Sequence, residues 1–334
     1  MRTRLWDLSN FLRRSHGCPL LFWTLPNDGV PSAHREDHVK VVVEAARRYG
    51  TVSPLRYPGG KSALAGLFAD LIADLGIRNC TYVEPYAGGA GAGIALLREG
   101  IASQLVINDI DPAVHSLWSQ VVDHNTAFVD WIAEVPLTLD EWRRQREIYR
   151  FKGNKQEALG RAFFYLNRTN RSGVLNAGVI GGQTQAGRYK IDARFNRETL
   201  IERVRAIGAL RSAIEVTALD GRTVIQKHAR RRSSFLYIDP PYVHAGSLLY
   251  LNAFEARDHQ ALAAVVDRIG QAHWLMTYDQ SSFIEMLYAN HFQGRLGLNY
   301  SARYPGKASE LLVASKAVGN LLEQWTARRG ASVG

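Results

Sequence analysis

Directly behind the β-rich run Thr81-Tyr-Val-Glu84 stands Pro85-Tyr-Ala-Gly-Gly-Ala-Gly-Ala-Gly93, with glycine at 88, 89, 91 and 93. A strand, a glycine turn and a helix in that order belong to open α/β sheets. Glycine there lets the backbone come close to a ligand at the carboxyl end of the strand. Apolar residues continue from Ile94 to Leu97 as a helix. About 20 residues on, Gln104–Asn108 reads as a second buried strand closing at Asp109, where a carboxylate can accept hydrogen bonds from ribose hydroxyls. The dinucleotide pattern Gly-x-Gly-x-x-Gly is broken, because Ile94 occupies its third glycine position. At this point a nicotinamide dinucleotide and S-adenosylmethionine fit equally well.

The same rhythm recurs along the chain. Ala63–Leu75 has helical apolar spacing, and after Asn196 come helix Arg197–Ala209, strand Ala213–Thr217, strand Phe235–Ile238, helix Asp258–Ile269, strand Trp274–Thr277 and a final hairpin. Strands alternating with helices predict a mostly parallel sheet covered on both faces. From Pro112 to Asn196 the alternation stops, and the sequence turns helical and rich in Arg, Asn, Trp and Tyr. The expected organisation is an α/β body over 51–111 and 197–334, an insert over 112–196, and an extension over 1–50. The extension holds a turn at Pro26–Gly29 and a short helical pattern from Asp37 to Tyr49.

Composition narrows the function. The net charge of +10 suits a polyanionic partner, although a solubility surplus of Lys and Arg explains it as well. Cys18 and Cys80 lie far apart, which excludes a disulfide scaffold and a Cys-rich zinc site, and no metal is expected. No apolar run reaches the roughly 18 residues of a membrane span. The patch Pro19–Leu25 is too short and has no clean cleavage site after it, so a cytoplasmic location is expected.

The strongest chemical signal is Asp239-Pro-Pro-Tyr242, behind the apolar strand Phe235-Leu-Tyr-Ile238. Two prolines fix an extended backbone and leave carbonyls without neighbouring amides to bond. The result is a small acceptor cluster beside an aromatic face, which fits an amino group on a heteroaromatic base. Tyr57-Pro-Gly-Gly-Lys61-Ser62 is not a P-loop, since Leu55 stands where its first glycine would be, and it reads as a turn before a helix.

In this order, these pieces resemble the D12 class of DNA adenine N6-methyltransferases over about residues 51–317. The resemblance implies a Rossmann-like S-adenosylmethionine-dependent methyltransferase sheet with an inserted, mainly helical target-recognition domain. It implies that Tyr57, Lys61, Glu84, Tyr86, Gly88, Gly89 and Asp109 hold S-adenosylmethionine, with Lys61 near the methionine carboxylate and Asp109 on the ribose. Asp239, Pro240, Pro241 and Tyr242 would form the catalytic group, with Asp239 also facing the cofactor. The Asp239 carboxylate and the Pro240 carbonyl would accept the two N6 hydrogens of a flipped adenine stacked on Tyr242.

Within the insert, Tyr165–Gly173 is similar to the family's recognition segment, and Gly187-Arg-Tyr-Lys190 through Phe195 to the basic hairpin that follows it. Arg168, Asn170, Arg171, Asn176, Arg188 and Lys190 are therefore the expected DNA contacts. Tyr300–Ala302 and Lys307–Leu312 match the family's closing hairpin. GATC-specific members carry an arginine three residues after the recognition glycine, where this chain has Asn176. The implied substrate is double-stranded DNA in a bacterial or phage setting, with a restriction or defence system as a further partner class. RNA or cytosine-N4 methylation and a catalytically inactive DNA-binding regulator are the competing readings. A C5-cytosine enzyme is not expected, because neither cysteine follows a proline. Trp118, Trp131 and Trp142 are expected as core anchors, and His259 and His273 as structural. Arg143, Arg144 and Arg146 are expected on a solvated face, and so are Lys227–Arg232, although these lean slightly toward DNA because the catalytic strand follows them.

Overall fold

The computed structural model describes residues 42–45, 48–56, 61–151, 156–243, 254–298 and 308–331, all within the unit Val39–Gly334. Its strands are β1 (Val42–Ala45), β2 (Cys80–Glu84), β3 (Ala102–Asn108), β4 (Ile214–Thr217), β5 (Ser234–Ile238), β6 (His273–Tyr278), β7 (Phe292–Leu298) and β8 (Ala308–Ala314). They form one sheet in the order β1-β7-β8-β6-β5-β2-β3-β4. β8 runs antiparallel to β6 and β7, and every other neighbouring pair is parallel.

Every residue of β5 is buried, which explains its unbroken apolar run: a parallel strand covered on both faces has no polar side to alternate with. Phe235 and Tyr237 pack with Phe68 and Tyr82 on one face, while Leu236 and Ile238 pack with Val83 and Met276 on the other. The first face is covered by α1 (Ala65–Asp74) and α2 (Gly91–Arg98), the second by α8 (Gly221–His228) and α9 (Ala256–Val266). The chain steps outward from β2 to β3 and β4, then returns to place β5 on the other side of β2. The carboxyl ends of β2 and β5 thus flank the reversal of strand order, where open sheets leave a crevice for ligands.

The insert contributes α3 (Pro112–Val122), α4 (Asn125–Glu134), α5 (Leu139–Phe151) and α6 (Gln156–Thr169), and α7 (Arg197–Gly208) follows it. Asp111 starts α3 by accepting the Ala113 amide at 2.8 Å, with Pro112 in the first helical position. Phe164 is the hub, fully buried, with its ring 5.2 Å from Phe128, 6.3 Å from Trp131 and 5.7 Å from Phe195. These residues join the same core as Phe68 and Tyr82. Trp118 and Trp142 are buried within it, as expected of anchors, and Trp131 is partly buried.

Two expectations are corrected. Part of the stretch read as a helix from Asp37 to Tyr49 is strand β1, because its β-branched valines pair in register with β7, Val42 opposite Arg295. The last element is a helix missing from the sequence reading, α10 being Ser282–Leu287 and α11 Lys316–Ala331. Val318 and Leu322 of α11 are buried, and Trp325 Nε1 donates to Asp74 Oδ2 at 2.9 Å. Among the described residues no helix is long and apolar enough to cross a membrane.

Because Phe164 meets three aromatic neighbours in a close-packed interior, Phe164→Ala is expected to cost about 3–5 kcal/mol. Chemical denaturation of the full chain measures this, and a loss within error of zero would contradict the hub.

Candidate functional site

The loop after β2 is held from three directions. Glu84 is buried, and its Oε1 accepts the Gly93 amide at 2.9 Å. A Cβ at position 93 would lie 2.5 Å from Leu105 Cδ1 and 3.0 Å from Glu84 Oε1, so the close seat of α2 on the sheet requires glycine. Gly88, at φ +45°, donates its amide to Asp109 Oδ2 at 3.1 Å, and its carbonyl accepts Trp118 Nε1 at 2.9 Å. The Gly89 carbonyl accepts the Ser53 hydroxyl at 2.7 Å. The Asp111 amide donates to Asp109 Oδ1 at 2.9 Å, so both oxygens of that carboxylate are fixed and each keeps a further lone pair.

Asn108 joins three strand ends, a role the sequence reading missed. Its Nδ2 donates to the carbonyls of Pro85 (2.8 Å) and Leu219 (3.0 Å), and its Oδ1 accepts the Thr217 hydroxyl (2.7 Å) and the Leu219 amide (2.9 Å). Ile110 and Leu219, both exposed, place apolar surface at the ends of β3 and β4 beside Asp109. Tyr86 packs edge-on against Phe254 at 5.8 Å.

Across the reversal point, β5 delivers Asp239. Thr277 Oγ1 donates to Asp239 Oδ1 at 2.7 Å and accepts the Tyr237 hydroxyl at 2.8 Å. The Tyr242 hydroxyl lies 2.9 Å from the same Asp239 oxygen and accepts Lys61 Nζ at 2.8 Å. Lys61 also pairs with Glu310 Oε2 at 2.5 Å and stands 3.9 Å from Asp239 Oδ1. The structure thus brings Lys61, Asp239 and Tyr242 together, and Pro240 is buried. Tyr57 lies outside the described residues, as do Tyr300–Ala302 and Lys307. Thr277 and Glu310 went unnoticed in the sequence. The only local cue for Glu310 is a carboxylate opening the apolar run Leu311-Leu312-Val313.

Burial sets the electrostatics. It pushes the Glu84 carboxyl up to about 8 against the pull of the Gly93 amide. It raises Asp109 to about 6, and it also raises Glu310, opposed by the Lys61 ammonium.

The segment Tyr165–Gly173 is tied to Arg56. Asn167, buried, accepts the Arg56 amide at 2.8 Å and donates to the carbonyls of Arg56 (2.8 Å) and Gly173 (3.1 Å). Ser172 (φ 56°) and Gly173 (φ 75°) form a tight left-handed turn closed by the Val174 amide on the Arg171 carbonyl at 3.2 Å. A Cβ on Gly173 would lie 2.6 Å from the Arg56 carbonyl.

Asn170 is turned inward and fully buried, unlike the outward contact expected of it. It accepts Trp142 Nε1 at 2.7 Å and donates to the carbonyls of Val174 (3.0 Å) and Leu175 (2.8 Å). Arg171, Asn176, Arg188 and Lys190 are exposed, with Arg188 stacked 5.4 Å from the Tyr189 ring. Arg168 is partly buried, and burial together with repulsion from Arg56, Arg203 and Arg194 lowers its guanidinium to about 10. It has no ion-pair partner among the described residues.

Other basic groups lie elsewhere. Arg143 and Arg144 pair with Asp140 and Glu141 on their own helix, and Arg146 stacks on Trp142. Lys227 pairs with Glu215 at 3.0 Å. The leaning of Lys227–Arg232 toward DNA needs correction, because they lead into the amino end of β5, opposite Asp239. His259 bonds the Tyr278 hydroxyl at 2.9 Å inside an aromatic cluster, a structural position.

The family model of the D12 class N6 adenine-specific DNA methyltransferases matches residues 57–299. No curated protein matches the chain.

The state of Glu84 has a measurable consequence. Its folded pKa of about 8 exceeds the ordinary 4.5. Between those values the folded chain keeps a proton that the unfolded chain releases, so stability falls as pH rises. The slope is about 1.4 kcal/mol per pH unit. In Glu84→Gln the amide oxygen can still accept the Gly93 amide, and this contribution to the slope should vanish between pH 5 and 8. Parallel stability curves for the two proteins would show that Glu84 is ionised in the fold.

Proposed function

The chain belongs to the D12 class of N6 adenine-specific DNA methyltransferases, and we propose that it methylates N6 of an adenine flipped out of duplex DNA into the crevice between the ends of β2 and β5. The observation that carries this reading is Asp239, oriented by Thr277 beside the Tyr242 ring at the reversal of strand order. One amine hydrogen donates to the Asp239 carboxylate and the other to the Pro240 carbonyl, and once N6 carries the methyl group its surplus proton leaves through Asp239 to solvent. Those bonds turn the nitrogen lone pair out of the ring system and toward the methyl donor. Alignment of this kind can supply a large part of a rate enhancement. Tyr242 offers the aromatic face for the extruded base.

The crevice suits S-adenosylmethionine, which when bound supplies a methyl group already activated on a sulfonium. Asp109, with both oxygens fixed by backbone amides and lone pairs to spare, can take ribose hydroxyls. Exposed Ile110 and Leu219 can flank a planar adenine. Lys61 has three protons; Glu310 and Tyr242 take two, and the third is assigned to the methionine carboxylate. A nicotinamide dinucleotide would leave the Asp239–Tyr242 group without a task.

On the DNA side, Arg168 and its neighbours Arg56, Arg194 and Arg203 form a cationic patch suited to a backbone phosphate. Exposed Arg171 and Asn176 stand at the recognition turn to read bases, while buried Asn170 shapes the loop they share. Asparagine pairs best with adenine, where the arginine of GATC-specific relatives would read guanine.

The test is to map modified bases in a methyltransferase-free bacterial host that expresses the full chain. The expected result is N6-methyladenine at a defined motif other than GATC, none from Asp239→Ala, and an altered motif from Asn176→Arg. Methylation confined to cytosine N4, or undiminished by Asp239→Ala, would contradict the reading. Cofactor affinity should also weaken as pH falls through about 6, where Asp109 becomes protonated. Asp109→Asn should remove that dependence and cost about 1.5–3 kcal/mol of binding at neutral pH. Calorimetric titration across pH decides this, and an unchanged profile in the variant would move the ribose elsewhere.

A further inference from the structure

One lysine stands between two carboxylates in the crevice. Lys61 Nζ is 2.5 Å from Glu310 Oε2 and 3.9 Å from Asp239 Oδ1. Tyr242 has a single phenolic proton and two acceptors for it, Asp239 Oδ1 at 2.9 Å and Glu310 Oε2 at 3.2 Å. Thr277 already donates to that same Asp239 oxygen. Two donors saturate one carboxylate oxygen, and an ammonium bonded directly to Asp239 would occupy more of the group the target amine needs.

We propose that Glu310 is a positioning residue for methyl transfer. It binds Lys61 and offers the Tyr242 hydroxyl a second acceptor, which keeps both donors from closing on Asp239. The inference rests on the reading of Asp239 as the amine acceptor.

The placement supports this role. Glu310 is set into a paired strand, opposite Leu296 of β7, so its carboxylate has a fixed origin. The Lys61 and Glu310 side chains are each 11% exposed. At such burial, removing one charge leaves the other uncompensated. A Lys61 ammonium deprived of Glu310 has Asp239 as its neighbouring anion, a short movement away. A neutral residue at 310 also weakens the alternative acceptor for Tyr242, leaving its proton on Asp239. Residue 310 lies beyond the span 57–299 matched by the family model.

The experiment compares the full-length wild type with Glu310→Gln, Glu310→Asp, the double variant Glu310→Gln/Lys61→Met, and Asp239→Ala. Unmethylated bacterial genomic DNA is the substrate. Single-turnover transfer is measured at saturating S-adenosylmethionine. Affinity for S-adenosylhomocysteine is measured by calorimetry, and the unfolding midpoint is recorded for each protein. Glu310→Gln should slow transfer roughly tenfold or more while its S-adenosylhomocysteine affinity and midpoint stay near wild type. Glu310→Asp, which keeps the charge, should recover most of the rate. At saturating S-adenosylmethionine, which offsets the cofactor contact that Lys61→Met removes, the double variant should be faster than Glu310→Gln alone, because the lysine that captures Asp239 is gone.

Wild-type transfer by Glu310→Gln overturns the proposal, as does equal loss in Glu310→Asp or no gain in the double variant. If Glu310→Gln does not fold, Glu310→Asp carries the test, because it keeps the Lys61 pair and the Tyr242 acceptor, and a folded Glu310→Asp that loses transfer roughly tenfold or more overturns the proposal. Normal transfer by Asp239→Ala would instead fell the underlying reading. An inactive Asp239→Ala beside a fully active Glu310→Gln defeats this inference alone.

Discussion

The parallel pairing of β2 with β5 is the constraint on which the crevice depends. Tyr82 stands opposite Phe235 and Val83 opposite Leu236, so Glu84 and Asp239 emerge at the same end of neighbouring strands. That register follows from side chains packed on both faces, and a slip would move every one of them. With it in place, the loop carrying Gly88 and the segment carrying Tyr242 leave the same end of neighbouring strands, where strand order reverses. Burial follows as well, and burial keeps the Glu84 carboxyl protonated to about 8.

The insert is gripped to this frame at both of its ends. Near its start, Trp118 bonds the Gly88 carbonyl inside the loop after β2. Toward its end, Asn167 and Gly173 clamp Arg56, five residues before Lys61. The shared core behind Phe164 leaves the insert little freedom to move as a separate body.

The parts of the site legible in the sequence are those whose residues restrict their own backbone. Glycines after β2 and prolines after β5 announce turns at strand ends whatever surrounds them. Thr277, Asn108 and Glu310 meet partners brought from distant parts of the chain, and nothing in their local sequence separates them from ordinary threonine, asparagine or glutamate. Asn170 looked like a surface contact because a polar residue in a short loop reads the same whether it faces in or out. The basic run ending at Arg232 was misplaced for another reason: a five-residue strand is about 17 Å long, so chain neighbours of a strand's two ends are far apart in space. The valines of β1 were read at the wrong period because a four-residue edge strand offers too few positions to distinguish one.

The central claim is that an adenine leaves the duplex and presents its amine to Asp239. A crystal structure of the full chain with a non-reactive S-adenosylmethionine analogue and a duplex bearing its mapped recognition site tests it most directly. The expected structure has the target adenine outside the helix, its ring against Tyr242, and N6 within about 3 Å of the Asp239 carboxylate. An adenine still stacked in the duplex, or an N6 bonded to other groups with Asp239 bound only to Lys61 and Tyr242, would contradict it.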